Sequence, residues 1–241
     1  MKTEEFIKRI KGEHRIDPLR TKELRACIPL GEYPSGEYVL SHQINDPKRY
    51  HHTCVTGAMR AEFIARTLLT LSGLYEKSEA VFLVVSPNLY YGQLMALKDA
   101  DFTIPFVLSQ RDIPPILETV KKLAEMRKDK QTDAKTFLVL DGLELLEPES
   151  KRSTLDVYRP FFEAVGTSGI EIITGVDLSH TIYAGYPSTF IGIGNALITP
   201  SLAGEMDVTY VGIDGTMSSP NKAIYPSLPT LKECIEERNN P

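Results

Sequence analysis

The segment HHTCVTGAMRAEFIARTLLTL, residues 51–71, joins a short apolar run, a glycine and a longer stretch with helical spacing. The run TCVTG has strand length and ends at Gly57. The apolar residues that follow recur on one helical face: Phe63, Ile64, Leu68 and Leu71. In a parallel α/β sheet, the turn after the first strand commonly holds phosphate at the helix N-terminus. The segment therefore predicts the first strand, turn and helix of an α/β domain, and it raises the question of a nucleotide site.

The same alternation continues along the chain. Further apolar runs of strand length are AVFLVVSP (80–87), PFVLS (105–109), TFLVLDG (136–142) and IEIITG (170–175). Helical periodicity recurs in ILETVKKLAEMRK (116–128) and VYRPFFEAVGTSG (157–169). Because runs that are apolar at nearly every position suit strands covered on both faces, we expect an α/β fold with a mostly parallel sheet flanked by helices.

The two ends of the chain have different patterns. Residues 1–30 predict a helical lead-in or linker, and IPLGEYPSGEYVL (28–40) has the turn chemistry of a β-hairpin. The runs DVTYVGIDG (207–215) and NKAIYPS (221–227) predict one or two edge strands. We therefore expect a main domain over 31–230, followed by a C-terminal helix and tail over 231–241.

The composition limits the possible partners. A net charge of −5 argues against nucleic acid, because binding the phosphate backbone needs concentrated Lys and Arg. The richest basic stretch, KKLAEMRKDK (121–130), has the mixed charges of a solvated helix face. The three cysteines, Cys27, Cys54 and Cys234, form neither a CxxC motif nor a disulfide framework, and no apolar run approaches the roughly 18 residues of a membrane span. We therefore expect a globular domain of a reducing compartment, with no nucleic-acid partner.

Residues around the first turn resemble the FtsK/SpoIIIE family of RecA-like motor ATPases. The family pattern there is H-L-L-V-A-G-A-T-G-S-G-K-S, which His52, Val55, Gly57 and Ala58 match without a gap. Weaker likenesses follow in the same order. FLVVSPN (82–88) is similar to F-h-x-I-D-P-K, KTFLVLDG (135–142) to the Walker B strand, GIEIITGVDLS (169–179) to G-I-H-h-h-h-A-T-Q-R-P, and DVTYVG (207–212) to D-M-L-Y-h-G. The resemblance spans about 28–229 and implies a RecA-like P-loop NTPase fold.

The positions that would bind phosphate depart from the family pattern. Met59, Arg60, Ala61 and Glu62 stand where the family has Thr, Gly, Ser and Gly, and Phe63 and Ile64 stand where it has the phosphate-binding Lys and the magnesium-binding Ser or Thr. A phosphate loop needs its glycines so that backbone N–H groups can surround the anion, and it needs the Lys charge. We therefore expect no nucleotide to bind, with Arg60 as the new cation that offsets Glu62.

The catalytic positions further along the chain are altered as well. The resemblance implies that Asp141 keeps the carboxylate that would order magnesium, whereas Gly142 replaces the catalytic Glu and Asp177 replaces the phosphate-sensing Gln. We therefore expect a pseudo-ATPase that has no catalytic residues and holds neither a cofactor nor a metal.

Three other groups of residues suggest other functions. His52 and Cys54 are metal-type ligands on one side of a strand, but no third ligand lies at a suitable spacing. Asp141, Glu144 and Glu147 could supply paired carboxylates for acid-base catalysis. The stretch LDGLELLEPE is more simply a strand end followed by a solvated turn. Four tyrosines of predicted loops are candidate partner contacts, or else pack locally: Tyr90, Tyr91, Tyr183 and Tyr186.

Within the family, the chain is most similar to the last ATPase module of the type VII secretion coupling protein, the EssC/EccC type. The stretch IDPLRTKELRACIPLGEYPSGEYVL (16–40) resembles the linker and opening strands that introduce such a module. The resemblance implies a substrate-recognition or regulatory module at the cytoplasmic face of the membrane, anchored only through a larger protein. The implied partners are the other ATPase modules of that protein and small helical secretion substrates. Two alternatives remain: a nucleotide-dependent motor with an altered loop, and a free-standing α/β interaction protein.

Overall fold

The computed structural model describes most of the chain. The described residues are 2–16, 28–41, 52–105, 107–129, 134–143, 161, 164–165, 168, 170–176, 196–212, 216–226 and 230–240. The predicted helix over 157–169 therefore lies mostly outside the described residues, as do Glu144, Glu147, Asp177, Tyr183 and Tyr186.

The described strands form one ten-stranded sheet. Their bounds are β1 Pro29–Glu32, β2 Tyr38–Leu40, β3 His52–Thr56, β4 Ala80–Val85, β5 Asp101–Thr103, β6 Lys135–Asp141, β7 Ile170–Val176, β8 Ala196–Pro200, β9 Glu205–Tyr210 and β10 Asn221–Ile224. The spatial order is β2-β1-β10-β9-β8-β3-β7-β6-β4-β5. Strands β8 to β5 in this order are parallel, and the four at the other end pair antiparallel. The predicted mostly parallel α/β fold is confirmed.

Helices cover both faces of the parallel strands. The helices are α1 Thr3–Ile16, α2 Arg60–Leu74, α3 Ile113–Asp129 and α4 Leu231–Asn239, with 3-10 helices at Leu89–Ala96 and Gln110–Asp112. Along β6, Phe137 and Val139 pack in one core cluster with α2, whereas Leu138 and Leu140 pack in a second cluster with α3. Successive strand residues point to opposite faces, so the two clusters lie on the two sides of the sheet.

Both ends of the chain pack onto this sheet domain. In α1, Phe6 and Ile10 are buried against Tyr38 and Leu40 of the β-hairpin and Leu74 of α2. A capping box begins α4, because the Thr230 side chain accepts from the Glu233 N–H while the Glu233 carboxylate accepts from the Thr230 N–H.

Arg238, in the last turn of α4, donates hydrogen bonds to α2. Its guanidinium donates to the Leu69 carbonyl at 2.9 Å and to the Ser72 hydroxyl at 2.7 Å. These bonds use backbone and side-chain acceptors near the C-terminal end of α2, where a cation is favoured. The C-terminal helix is thereby held against the same helix that begins at the first turn.

The sheet differs from the sequence-based prediction in three places. The predicted strand PFVLS is wrong, because the edge strand is β5 and Pro105 cannot donate to a strand ladder. Strand β8 was not predicted, and it separates β3 from β9. The predicted edge strands β9 and β10 lie inside the sheet, because the β1–β2 hairpin pairs with β10 and extends it.

Among the residues that the structure describes, no helix combines the length and the apolar character needed to cross a membrane.

Three stacked phenylalanines join the strands at the β5 edge of the sheet. The Phe82 ring stacks on Phe102 at 4.7 Å and on Phe137 at 5.2 Å between ring centroids, and Phe82 is 2% exposed. Truncating a buried phenylalanine removes its apolar contacts and leaves a cavity, which costs about 3–5 kcal/mol. We expect Phe82→Ala to lower the free energy of unfolding by about this amount, measured by urea denaturation.

Met126→Ala is the matched control, because this α3 side chain is 60% exposed. A surface truncation of this kind changes stability by about 0.5 kcal/mol or less. Equal effects of the two substitutions would contradict the stack as a core element.

Candidate functional site

The turn between β3 and α2 is shorter than a phosphate loop. Gly57 has φ of +89°, a left-handed conformation that favours glycine, and its carbonyl accepts from the Arg60 N–H at 3.2 Å. Helical bonding has begun by Phe63, whose N–H donates to the Met59 carbonyl at 2.9 Å. In a P-loop the glycine-rich segment continues to the Lys, which corresponds here to Phe63. Residues 60–62 are therefore wound into the first turn of α2 instead of forming a loop around an anion.

The two residues at the Lys and Ser/Thr positions belong to the core. Phe63 is 1% exposed and its ring meets Tyr225 edge to face at 5.2 Å, while Ile64 is 0% exposed. These two side chains lie in the same core cluster as Leu68 and Leu71, which confirms the predicted apolar face of α2. Neither position therefore offers a charge or a hydroxyl to a phosphate or a metal ion.

Arg60 and Asp141 form an ion pair at the carboxyl end of the parallel strands. Asp141 is the last residue of β6, and Arg60 is the first residue of α2. Arg60 Nε donates to Asp141 Oδ1 at 2.8 Å, and the two side chains are 12% and 1% exposed. The guanidinium thus lies against the carboxylate that the family resemblance assigns to magnesium.

Gly175 makes room for this carboxylate. Gly175 on β7 pairs with Asp141 on one side and with Val55 on the other, so β7 lies between β3 and β6. A Cβ atom at Gly175 would lie 1.9 Å from Asp141 Oδ1 and 2.7 Å from its Cγ. The carboxylate therefore occupies the space above β7, where Arg60 meets it.

Gly175 was missed in the sequence analysis, although the sequence carries a signal for it. A glycine inside an otherwise apolar strand commonly marks a close approach by another group. In the family pattern laid on residues 169–179, Gly175 also stands where the pattern has Ala. The absence of a side chain at residue 175 thus leaves the space that the Asp141 carboxylate occupies.

Tyr91 lies inside the corner that Arg60, Gly175 and Asp141 form. Tyr91 is 0% exposed, in the 3-10 helix over Leu89–Ala96 and not in a loop, so its side chain does not reach a partner as predicted. Burial first, and then the charge and hydrogen bonding of Asp141, raise the pKa of the Tyr91 phenol well above its ordinary value. Within the described residues, neither Tyr91 Oη nor Asp141 Oδ2 has a partner that meets the geometry of a regular hydrogen bond.

Glu62 is compensated by Arg66 and not by Arg60, which corrects the expectation from the sequence. Arg66 Nε donates to Glu62 Oε1 at 2.6 Å, and Arg66 Nη2 bonds the same oxygen. The Tyr90 hydroxyl donates to Glu62 Oε2. Burial, followed by this bond to Glu62, raises the pKa of Tyr90 above its ordinary value. Arg66 is four residues after Glu62 on one helix, a spacing that itself favours the pair.

The remaining candidate residues do not join the corner as a group. Gly142 has φ of +69° and donates its N–H to the Gly175 carbonyl at 3.1 Å, which places a glycine backbone where the family has its catalytic Glu. His52 Nε2 lies 2.7 Å from Thr174 Oγ1, and Cys54 is buried in the core. Among the described residues, no three His, Cys, Asp or Glu side chains are grouped as metal ligands.

A magnesium–nucleotide complex does not suit this arrangement. In P-loop NTPases the metal ion lies between the loop Ser/Thr and the Walker B Asp. In this chain Ile64 is buried in the core at the first position, and Arg60 contacts the carboxylate at the second. A second cation at Asp141 would be repelled by the guanidinium already there.

Exposed apolar side chains lie on the 3-10 helix that also carries Tyr91. Leu89 is 71% exposed and Met95 is 62% exposed, on either side of Tyr90 and Tyr91. The helix begins at the carboxyl end of β4, where the Asn88 side chain accepts from the Tyr90 N–H. Two exposed apolar side chains therefore share a short helix with Tyr91, whose phenol interacts with Asp141.

Comparison with known proteins identifies the fold. No family model matches the chain, and no curated protein matches it. Among the solved structures that resemble it is EssC (ATPases 2 and 3) from Geobacillus thermodenitrificans, with a TM-score of 0.60 and 11% identity. Another is the cytoplasmic domain of the type VII secretion ATPase EccC from Thermomonospora curvata, with a TM-score of 0.56 and 13% identity. Each covers 89% of this chain, and this chain covers 49% and 31% of theirs.

A third structure is that of Thermomonospora curvata EccC (ATPases 2 and 3) in complex with a signal sequence peptide. Its TM-score is 0.52 at 14% identity, over 84% of this chain and 41% of that one. This chain thus spans less than half the length of each of these proteins. At such low identity the likeness concerns the fold, and the chain has the RecA-like fold of EssC and EccC ATPase domains.

Proposed function

We propose that this chain is a catalytically inactive ATPase-like module that acts as a substrate-recognition or regulatory domain of a membrane-anchored type VII secretion motor. The observation that carries the proposal is the Arg60–Asp141 ion pair at the place of the nucleotide. A buried carboxylate that already has a cationic partner has little to offer a magnesium ion, and a guanidinium held by that carboxylate has little to offer a phosphate.

Three further features support the loss of catalysis. Residues 60–62 are helical, so their N–H groups are not arranged as a phosphate cradle. Glu62 brings a carboxylate to the first turn of α2, where phosphate would bind. Gly142 supplies no side chain to activate an attacking water. Each feature removes a different part of the reaction, and together they favour a recognition role over a motor with an altered loop.

The proposed link to secretion rests on the fold likeness to EssC and EccC. One of the EccC structures holds a signal sequence peptide. We extend this to the present chain as binding of a helical secretion substrate, with Leu89 and Met95 as the apolar contacts in place of Tyr91. The other ATPase modules of a larger protein, anchored at the cytoplasmic face of the membrane, are the proposed neighbours.

We expect the purified chain to bind no nucleotide. A fluorescent ATP analogue with magnesium should give no saturable signal up to about 1 mM, near the upper end of ordinary Michaelis constants. An active FtsK-type motor domain, titrated in parallel, serves as the positive control. The physical reason is that Arg60 occupies Asp141 and that Phe63 supplies no charge.

Saturable binding that requires magnesium and disappears in Asp141→Asn would overturn the inactive-module proposal. The motor with an altered loop would then be the better function. Binding that survives Asp141→Asn would contradict the expectation that the chain binds no nucleotide, and would place the nucleotide away from this carboxylate.

We expect a helical secretion-signal peptide to bind beside the 3-10 helix. Leu89→Asp should weaken the peptide dissociation constant about five- to tenfold, as for an interface residue worth about 1 kcal/mol. Met126→Asp, on α3, is the matched control, since Met126 has a similar exposure of 60% and lies on a helix that packs in the other core cluster. Fluorescence anisotropy of the labelled peptide measures both.

The peptide experiment is repeated with the preceding ATPase modules attached. No binding in either form would overturn the recognition role and favour a free-standing interaction protein. Equal weakening by Leu89→Asp and Met126→Asp would exclude the 3-10 helix as the contact.

A further inference from the structure

We propose that Arg60 is a built-in replacement for a divalent cation, which orders the corner between β3 and β6 without metal or nucleotide and masks a latent cation site at Asp141. The inference rests on the proposed loss of nucleotide chemistry at the same corner. It goes beyond the loss of a nucleotide site, because it gives Arg60 a structural role at this corner.

The Asp141 carboxylate lies where its charge is poorly solvated. The side chain is 1% exposed, and it lies at the end of a strand that has neighbours on both sides. An ionised carboxylate in such a place is strongly unfavourable unless another charge or several hydrogen bonds compensate it. In this corner Arg60 supplies the compensating charge.

The guanidinium also bridges two elements of the fold. In P-loop NTPases the magnesium ion joins the residue that begins the helix after the loop to the Walker B carboxylate. Arg60 begins α2 and bonds the last residue of β6 at 2.8 Å, across β7. The guanidinium thus connects the same two elements, while it is covalently attached to one of them.

Gly175 leaves room for this bridge above β7. Asp141 Oδ1, the oxygen that Arg60 bonds, is the atom that a Cβ at this position would strike. The bridge across β7 therefore depends on a glycine, and Arg60, Gly175 and Asp141 form a single unit.

Arg60 leaves other oxygen atoms of the corner unused. Within the described residues, Asp141 Oδ2 and Tyr91 Oη are buried without a regular hydrogen-bond partner. Carboxylate and hydroxyl oxygens, supplemented by water, are the ligands that hard divalent cations take. Removing the guanidinium would free Oδ1 as well, so the corner would hold an uncompensated charge and several oxygen ligands.

We expect Arg60→Met to make the stability of the protein depend on a divalent cation. In EDTA the variant should melt below the wild type, and MnCl2 at about ten times its dissociation constant should raise the melting temperature by about 3–6 °C. The wild type should melt at the same temperature in EDTA and in MnCl2. Thermal denaturation followed by circular dichroism measures this, and electron paramagnetic resonance of Mn²⁺ measures the bound metal directly.

Two variants serve as controls. Arg66→Met removes a guanidinium from the same helix, but that guanidinium pairs with Glu62, so the variant should gain no binding of Mn²⁺ at Asp141. Arg60→Met with Asp141→Asn removes the carboxylate charge, so its response to MnCl2 should vanish. If Arg60→Met is unfolded in EDTA and folds on addition of MnCl2, the proposal is supported in its strongest form.

Two results would overturn the proposal. One is an Arg60→Met variant that is no more stable in MnCl2 than in EDTA, whether folded or not. The other is a wild type that MnCl2 already stabilises. Failure of this kind, in a chain that binds the signal peptide and no nucleotide, leaves the proposed function intact. The converse result is an Arg60→Met variant that depends on a divalent cation while the chain binds no peptide. That result would support the role of Arg60 and would contradict the recognition role.

We also expect Gly175→Ala to be destabilising through Asp141. In the wild type, the methyl group added at residue 175 would lie 1.9 Å from Asp141 Oδ1. In a background that carries Arg60→Met and Asp141→Ala, the carboxylate is gone and the Cβ of residue 141, at 3.0 Å, is the only atom of that side chain left near the methyl group. Gly175→Ala should therefore lower the melting temperature far more in the wild type than in the double variant. Equal losses in the two backgrounds would show that Gly175 serves the strand alone, and would overturn the three-residue unit.

Discussion

The carboxylate of Asp141 is the constraint around which the corner is arranged. A negative charge that is 1% exposed at the end of a central strand needs compensation from within the protein, because burial removes most of its solvation. Arg60 supplies the charge, Gly175 supplies the space, and Tyr91 closes the site from the 3-10 helix. Each contributes from a different element, so the ends of β6, β7 and α2 are fixed relative to one another.

This constraint also explains the shape of the first turn. Arg60 reaches Asp141 because α2 begins at residue 60, directly after a turn that Gly57 closes with a positive φ. Had residues 60–62 formed a loop, the guanidinium would not be held at the helix start. The helical conformation of residues 60–62 and the Arg60–Asp141 ion pair therefore depend on each other. Glu62 is then free to pair with Arg66 along α2, at a distance from Asp141.

The long apolar strands and amphipathic helices could be predicted from the sequence because burial on both faces leaves a clear periodic signal. Strand β8 could not, since ALITP is short and alternates in burial, and its role depends on pairing with β3. At the site, the sequence alone predicted Asp141 as the carboxylate and the absence of a Lys at residue 63. The Arg60–Asp141 contact was not, because 81 residues separate the two and only the crossing of β7 brings them together. Tyr91 was misassigned because a short 3-10 helix has too few residues for a periodic pattern.

A corner that is ordered by its own ion pair has a consequence for recognition. Binding surfaces that must first become ordered lose part of their interaction energy to that ordering, whereas preorganised surfaces keep it. Leu89 and Met95 lie on the same 3-10 helix as Tyr91, which interacts with the paired charges of the corner, and the Tyr90 hydroxyl of that helix donates to Glu62 on α2. In the proposed role, the affinity for a helical substrate would then be independent of nucleotide. Such a module could stay ready for substrate while neighbouring modules pass through their ATP cycles, which is a property that an active P-loop at the same corner would not provide.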